Sequence, residues 1–280
     1  SVERRTKDII TSKGKAALIN ELYERFFKNA FPKTTKKLGI VYTPIEVVDF
    51  ILNSSEFILK NEFQKSMNDK NINILDPFTG TGTFITRLLQ LDIIEKNKLK
   101  YKYENEIHCN EIVLLAYYIA GINIESIYQE TVKSNKYTPY NGLVLTDTFQ
   151  LYEQERDLIA DLLPDNSNKR TQQKKKNIKL IIGNPPYSSG QKSMEDDTKN
   201  LKYFNLDNKI SSLYLNSNSS SLKRKLYDSY IRAFCWATER VSDEGVISFI
   251  TGSGWIDKSF ASGMRKHLEN HFNKIYILDL

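Results

Sequence analysis

The residues best suited to chemistry are Asn184–Tyr187, which read Asn-Pro-Pro-Tyr. They follow a short apolar run, Lys179–Ile182, a pattern typical of a buried strand that stops at a turn. Two consecutive prolines exclude a helix and keep the turn extended. The Asn184 amide and the Pro185 carbonyl then become fixed acceptors beside the Tyr187 ring, which suits binding of a planar, amine-bearing group. Taken alone, an ordinary strand-ending turn with a capping asparagine explains these residues equally well.

A second candidate is the stretch Asp76–Thr83, which reads Asp-Pro-Phe-Thr-Gly-Thr-Gly-Thr. It lies between a predicted strand at Ile72–Leu75 and a helix from about Phe84 to Leu91, and strand, glycine turn and helix together open a nucleotide-binding α/β fold. The two glycines let the backbone approach a ligand closely. Neither G-x-G-x-x-G nor a following Lys-Ser/Thr is present, which disfavours a phosphate site. Asp76 instead suits a ligand with a positive or hydroxyl-bearing part.

Acidic residues recur where the next two predicted strands end. The strand Glu106–Asn110 is followed by Glu111, the usual position of an acceptor for ribose hydroxyls. The strand Gly142–Leu145 is followed by Asp147, which can accept a hydrogen bond from an adenine amino group. Each residue alone is more often a helix cap, but their recurrence at successive strand ends indicates one shared binding site.

A third candidate precedes the predicted helix Ile45–Leu59 and reads Tyr42-Thr43-Pro44. Thr43 is the predicted N-cap and Pro44 the predicted first-turn residue. A helix N-terminus behind an aromatic residue can hold a polar ligand end such as an amino-acid carboxylate.

The elements that must position these residues alternate between strands and helices, which indicates a single doubly wound, mostly parallel sheet. The remaining predicted elements are helices at about Thr11–Ala30, Leu222–Val241 and Phe260–Asn270, strands at Gly245–Thr251 and Lys274–Leu280, and polar loops at Asp165–Asn177 and Ser188–Ser221.

Composition narrows the class of protein. The 280 residues are 40% hydrophobic, enough for a sizeable core, and the net charge of +6 is compatible with a nucleic-acid partner. No run of about 18 apolar residues and no signal peptide are present, so we expect no membrane span. Cys109 and Cys235 lack C-x-x-C spacing, which favours a reducing cytoplasm without a disulfide framework, and the three histidines form no metal-ligand pattern.

With these motifs placed, the chain resembles the N6-adenine DNA methyltransferases that use S-adenosylmethionine, in the gamma order with the cofactor half first. It looks most like the methyltransferase domain of large restriction–modification polypeptides. The resemblance covers about Lys36 to Leu280 and implies a Rossmann-like fold, with residues 1–35 as an N-terminal helical segment and 36–280 as the catalytic domain. It implies that the catalytic motif is Asn184, Pro185, Pro186 and Tyr187. It implies that cofactor is bound by Tyr42, Thr43, Pro44, Asp76, Pro77, Gly80, Gly82, Glu111, Asp147 and Asn184.

The function implied by this resemblance is site-specific, adenine-specific DNA methylation in a restriction–modification system. The implied partners are double-stranded DNA with a flipped adenine, and covalently linked target-recognition and helicase or nuclease domains. In this family the sheet ends with a seventh strand antiparallel to the sixth. We find no segment in this sequence that would form this strand or a target-recognition domain. We therefore expect a truncated catalytic domain. From the cysteine usage we expect it to be cytoplasmic, and the implied methyl transfer needs no metal.

Two alternatives use the same residues. A protein-glutamine or RNA-adenine methyltransferase can apply Asn-Pro-Pro-Tyr to another planar amide or amine. A non-catalytic module can hold the cofactor or DNA without turnover. The Asp-Pro-Phe form of the glycine loop, the Tyr42-Thr43-Pro44 cap and the long polar stretch Ser188–Ser221 favour the DNA enzyme over the first alternative.

Overall fold

The computed structural model describes residues 43–133, 136–153, 164–187, 203–215 and 223–279. Within them, one sheet contains five strands in the order β3-β2-β1-β4-β5, and every neighbouring pair is parallel. The strands are β1 (Asn73–Asp76), β2 (Ile107–Glu111), β3 (Leu143–Leu145), β4 (Ile178–Gly183) and β5 (Val241–Phe249). The predicted doubly wound α/β sheet is confirmed.

Helices connect the strands. The α-helices of the described residues are α1 (Ile45–Phe63), α2 (Thr83–Gln90), α3 (Lys96–Asn105), α4 (Leu114–Val132), α5 (Pro164–Lys174), α6 (Phe204–Tyr214), α7 (Ser229–Arg240), α8 (Gly254–Asp257) and α9 (Ser262–His271). Short 3₁₀ turns lie at Phe149–Tyr152, Lys223–Tyr227 and Ser259–Ala261. None of the described helices is both long and apolar enough to cross a membrane.

Both faces of the sheet are covered. Side chains alternate along a strand, so Leu180 and Ile182 of β4 enter the core formed with α1 to α4, while Ile181 enters the core formed with α6 to α9. Burial on both faces is typical of a parallel sheet and explains the continuous apolar runs in the sequence.

The order of the strands fixes where a ligand can bind. The chain runs outward from β1 to β2 and β3, then returns to β4 on the other side of β1. The connections therefore reverse direction between β1 and β4. In open α/β sheets, ligands bind outside the carboxyl ends of the strands at such a switch point.

The loop predicted at Asp165–Asn177 is wrong, because α5 occupies most of it. Polar bonds hold α5 in place. The Asn166 side chain accepts from the Leu145 N–H at 2.8 Å and donates to the Leu145 carbonyl at 2.9 Å. The Asn166 side chain therefore satisfies backbone groups at the end of the edge strand β3. The spacing of apolar residues does not predict such a polar anchor.

The long loop predicted at Ser188–Ser221 also needs correction, because α6 lies within it. Leu206, Ile210 and Tyr214 recur every four residues and are all buried. That spacing is the ordinary signal of a helix with one apolar face.

The predicted sixth strand at Lys274–Leu280 is absent from residues 274–279. Its apolar side chains are between 42% and 61% exposed, and Lys274 and Tyr276 instead bond to Glu62 in α1. A strand requires a neighbour for its backbone groups, and no described residue supplies one here. The predicted helix Thr11–Ala30, the proposed segment 1–35 and Tyr42 lie outside the described residues.

Candidate functional site

The carboxyl edge of the sheet brings together the acidic residues and the Asn-Pro-Pro-Tyr motif. Asp76 ends β1, Glu111 ends β2 and Asn184 directly follows β4. A Cβ on Gly183 would lie 3.1 Å from the Asp76 carboxylate, so the ends of β1 and β4 are in close contact. The sequence predicted this convergence.

Asp76 is a fully buried carboxylate with one oxygen in use. Its Oδ1 accepts from the Phe78 N–H at 3.0 Å, while Oδ2 is buried and has no hydrogen-bond partner among the described residues. The pKa of Asp76 is raised to about 8, chiefly by burial and to a smaller extent by the nearby Glu111 charge, while the Phe78 N–H bond opposes the shift. An unpartnered buried carboxylate oxygen is costly unless a donor or cation comes to it.

Glu111 holds the glycine loop against the end of β2. Its Oε2 accepts from the Gly80 N–H at 2.8 Å, and its Oε1 accepts from the Val113 N–H at 2.6 Å. Burial raises its pKa to about 7, although these N–H bonds oppose the shift. Each oxygen keeps a second lone pair, so Glu111 can accept further donors.

The two loop glycines differ in their surroundings. Both have a positive φ, +57° at Gly80 and +90° at Gly82. A Cβ on Gly80 would point into open space, whereas a Cβ on Gly82 would lie 3.2 Å from Ile124 and 3.4 Å from Ala120 of α4. Gly82 therefore allows helix packing, and Gly80 is the glycine that faces the open edge.

Valine substitutions should separate these two roles. Gly82→Val overpacks the α4 contact and should lower the unfolding free energy by about 2–4 kcal/mol. Gly80→Val should lower it by about 1 kcal/mol because only the backbone conformation is strained. If the expected cofactor, S-adenosylmethionine, binds at this edge, calorimetry should show weaker binding for Gly80→Val despite its smaller loss of stability. Equal destabilisation by both variants, or normal affinity in Gly80→Val, would contradict this assignment.

Asp147 is already bonded within the chain. Its Oδ2 accepts from the Tyr203 hydroxyl at 2.8 Å and its Oδ1 from the Phe149 N–H at 2.9 Å, while burial raises its pKa. The adjacent Thr148 donates to the Pro77 carbonyl at 2.5 Å. The end of β3 is thereby tied to the loop that follows β1.

Asn184 is held through its amide nitrogen. Its Nδ2 donates to the Thr43 hydroxyl at 2.9 Å, while its Oδ1 is buried without a partner among the described residues. The prediction of Thr43 as N-cap is wrong, because Pro44 occupies the N-cap position and no side chain caps α1. The Thr43 hydroxyl serves the Asn184 amide instead.

Tyr187 is anchored at the tip of its ring. Its hydroxyl donates to the Ile250 carbonyl at 2.9 Å, just beyond β5. The ring is partly buried, and burial raises the pKa of the hydroxyl to about 12. Pro185 is buried and Pro186 is partly buried, so packing of the prolines and the Tyr187 hydrogen bond together hold the motif in place.

Sequence reasoning missed an aromatic layer beneath this edge. The Phe78 ring lies 5.6 Å from the Phe149 ring and 6.2 Å from the Phe249 ring, measured between centroids. Phe149 in turn contacts Tyr203 at 5.2 Å. The available signal was a repeated spacing, because Phe78 and Phe149 each lie two residues after an aspartate, Asp76 or Asp147.

The parallel sheet with helices on both faces defines a Rossmann-like α/β protein. The chain belongs to the Eco57I restriction-modification methylase family, which matches residues 84–280.

Solved structures agree with this assignment. The ATP-dependent Type ISP restriction-modification enzyme LlaBIII bound to DNA is 45% identical with a TM-score of 0.85, covering 94% of this chain and 18% of that chain. A nuclease-deletion mutant of the Type ISP enzyme LlaGI in complex with a DNA substrate mimic is 43% identical with a TM-score of 0.86, covering 95% and 22%. The DrdV–DNA complex is 37% identical with a TM-score of 0.87, covering 95% and 26%.

This chain thus spans about a fifth to a quarter of the length of those three proteins. A search of curated proteins found no match.

Proposed function

We propose that this chain transfers a methyl group from S-adenosylmethionine to the N6 amine of adenine in DNA, as the modification part of a restriction–modification system. The observation that carries the proposal is the buried Asn184 Oδ1, a hydrogen-bond acceptor without a partner among the described residues, at the carboxyl edge of the sheet. Membership of a restriction-modification methylase family and similarity to DNA-bound enzymes support it.

The residues at this edge fit the cofactor. The free Asp76 Oδ2 suits its ammonium group, and the open space at Gly80 lets a ligand reach the loop backbone. Glu111 would accept from ribose hydroxyls and Asp147 from the adenine amine, each through a remaining lone pair. Pro77 and Gly82 shape the loop, while Thr43 and Pro44 with the α1 N-terminus, together with Tyr42, would hold the carboxylate.

When bound, S-adenosylmethionine supplies a methyl group on a sulfonium. The accepting adenine amine is a weak nucleophile because its lone pair is delocalised into the ring. The Asn184 Oδ1 and the Pro185 carbonyl would each accept one N–H of that amine, drawing it toward tetrahedral geometry and freeing the lone pair. These acceptors are fixed before the reaction, so they stabilise the positive charge that develops on nitrogen without reorganising.

Tyr187 would hold the target base. A base inside a duplex cannot reach Asn184, so it must be flipped out and stacked. The bond to the Ile250 carbonyl keeps the Tyr187 ring in one place, which provides a fixed surface for such stacking. Fixed positions of base and acceptors supply much of the acceleration in a direct transfer.

We also infer that target recognition, and helicase or nuclease activity, are carried by linked domains, as the greater length of the DNA-bound relatives suggests. The proposed catalytic domain is residues 36–280.

The proposed function is tested by giving the full-length protein S-adenosylmethionine with a labelled methyl group and, separately, DNA, RNA and total protein. We expect label in DNA alone, and nucleoside analysis should identify it as N6-methyladenine. Label in cytosine, RNA or protein glutamine would contradict the proposal. Binding of the cofactor without transfer to any of the three would indicate a non-catalytic module instead.

A further inference from the structure

We propose that the Thr43 hydroxyl sets the orientation of the Asn184 amide, which makes Thr43 a positioning residue for the methyl-accepting amine. This inference rests on the proposed function. It assigns to Thr43 a second role besides holding the cofactor carboxylate, since Thr43 acts here through Asn184.

The geometry carries the first step. An amide has a donor end and an acceptor end, and Asn184 uses its donor end on the Thr43 Oγ1 at 2.9 Å. That bond turns the acceptor end, Oδ1, toward the other side, where it is buried and has no partner among the described residues. Among the described residues, Thr43 is the hydrogen-bond partner of this amide, so the orientation of the amide depends on whether the Thr43 hydroxyl accepts or donates.

The orientation matters because the two ends of the amide have opposite hydrogen-bonding character. An adenine amine offers N–H donors, which Oδ1 accepts. A reversed amide would present its own N–H groups to that amine, and neither side could then bond. Sites built to hydrogen-bond a substrate lose discrimination sharply when the matching group is missing.

A threonine hydroxyl can both donate and accept, so Thr43 alone permits either orientation. The choice depends on where its proton goes. If another acceptor takes the Thr43 proton, the lone pair that remains can only accept, and it accepts from the Asn184 Nδ2. The cofactor carboxylate proposed at the uncapped N-terminus of α1 is such an acceptor. Filling the carboxylate position would thereby select the productive amide.

Thr43→Val keeps the branched shape and removes the hydroxyl. In the full-length protein, we expect kcat to fall about 10- to 100-fold and KM for DNA to change less than about threefold, while the Kd for S-adenosylmethionine rises by a smaller factor than kcat falls, because the lost hydroxyl also donates to the cofactor carboxylate. Thr43→Ser restores the hydroxyl and should recover most of the rate. Thr131→Val is the matched control, because the Thr131 hydroxyl donates only to the Ile127 carbonyl within α4.

A binding measurement tests the orientation without turnover. Once the methylated sequence has been read from the product DNA, two duplexes are compared, one with adenine and one with purine at the target position, each in the presence of S-adenosylhomocysteine. Purine lacks the amine. The ratio of the two affinities in wild type, divided by the ratio in the variant, cancels the difference in base-pairing energy and reports the amine contact. We expect Thr43→Val to reduce the preference for adenine by about fivefold or more.

An Asn184→Asp background supplies the second test. A carboxylate accepts through both oxygens, so its orientation is immaterial and Thr43→Val should then change the adenine preference less than about twofold. The inference is overturned if Thr43→Val weakens cofactor binding as much as it slows transfer, if Thr43→Ser fails to restore the rate, or if the adenine preference is unchanged. Absence of N6-methyladenine with the wild-type protein would instead overturn the proposed function.

Discussion

Replacing Asn184 by alanine is expected to lower the methylation rate of the full-length protein by at least about 100-fold, the usual loss for one preorganised hydrogen-bonding group in a reaction centre. The Asn184 acceptor interacts most strongly with charge that develops during transfer, so its removal should act on kcat. Affinity for S-adenosylmethionine should stay within about threefold of wild type. Rates come from labelled-methyl transfer to DNA, and affinities from calorimetry.

The structure also makes an unusual prediction for the stability of this variant. The Asn184 Oδ1 is buried without a partner among the described residues, so removing it relieves an unmet hydrogen bond. The melting temperature should therefore fall little. Asn53→Ala is the matched control, because the Asn53 amide is exposed and donates to the Asp49 carbonyl within α1. A rate within tenfold of wild type for Asn184→Ala, or a comparable loss of cofactor affinity, would refute the role given to Asn184.

Replacing Asp76 by asparagine should change both the strength and the pH dependence of cofactor binding. Burial raises the pKa of Asp76 to about 8, so the free protein carries a largely protonated carboxyl at neutral pH. A cationic ammonium binds the ionised form. In wild type, affinity should therefore rise roughly tenfold per pH unit toward pH 8, then fall as the ligand's own amine loses its proton near its ordinary pKa of about 8.

In Asp76→Asn, the acid-side rise should be lost except for a weaker dependence near pH 7 from Glu111. Affinity at pH 8 should fall about 10- to 100-fold, because one charge-assisted bond in a buried site is removed. Calorimetry between pH 6 and 9 measures both effects. Asp92→Asn, at an exposed position, serves as the control. An unchanged pH profile in Asp76→Asn would show that Asp76 does not face the ammonium.

The same carboxyl group should influence the stability of the ligand-free protein. Its folded-state pKa lies above its unfolded value, so the folded chain retains a proton that the unfolded chain gives up. The contribution of Asp76 to the free energy of unfolding is therefore fully present below about pH 4 and declines as the pH rises toward 8. Thermal melts of wild type and Asp76→Asn should diverge over this interval, with the variant more stable at pH 8.

Much of the fold could be predicted because its signals are local. Each of β1 and β2 is a short strand ending in an acidic residue, Asp76 or Glu111, and both residues lie where the pattern places them. The glycine turn and the helix after it follow within a few residues. A parallel sheet then brings these strand ends together without further information from the sequence.

Elements held by polar bonds were not predictable in this way. Helix α5 has few apolar residues and is fixed through Asn166 to the edge of β3 and through Arg240, which donates to the carbonyls of Gln173 and Lys176. Such anchors depend on distant residues. In contrast, the spacing of Leu206, Ile210 and Tyr214 in α6 was visible in the sequence and could have been used.

The details of the site depend on contacts between distant parts of the chain. Gly80 and Gly82 look alike in sequence, yet only the surroundings of α4 show that Gly82 serves packing. Likewise, the Thr43 side chain matched a helix cap locally, and its actual partner lies far along the chain. Sequence patterns identify the residue types of a site more readily than their partners.

The separation of these partners sets an order for folding. The bond from Asn184 to Thr43 spans 141 positions, and the bond from Ser55 to Ser248, which joins α1 to β5, spans 193. Contacts that close such long loops form after local ones. We therefore expect the strand ends that carry Asp76 and Glu111 to assemble while the chain is still being synthesised. The Asn184 amide takes its place only when α1 meets the later strands. We therefore expect the bond between Asn184 and Thr43 to form late in folding, after the local contacts around Asp76 and Glu111.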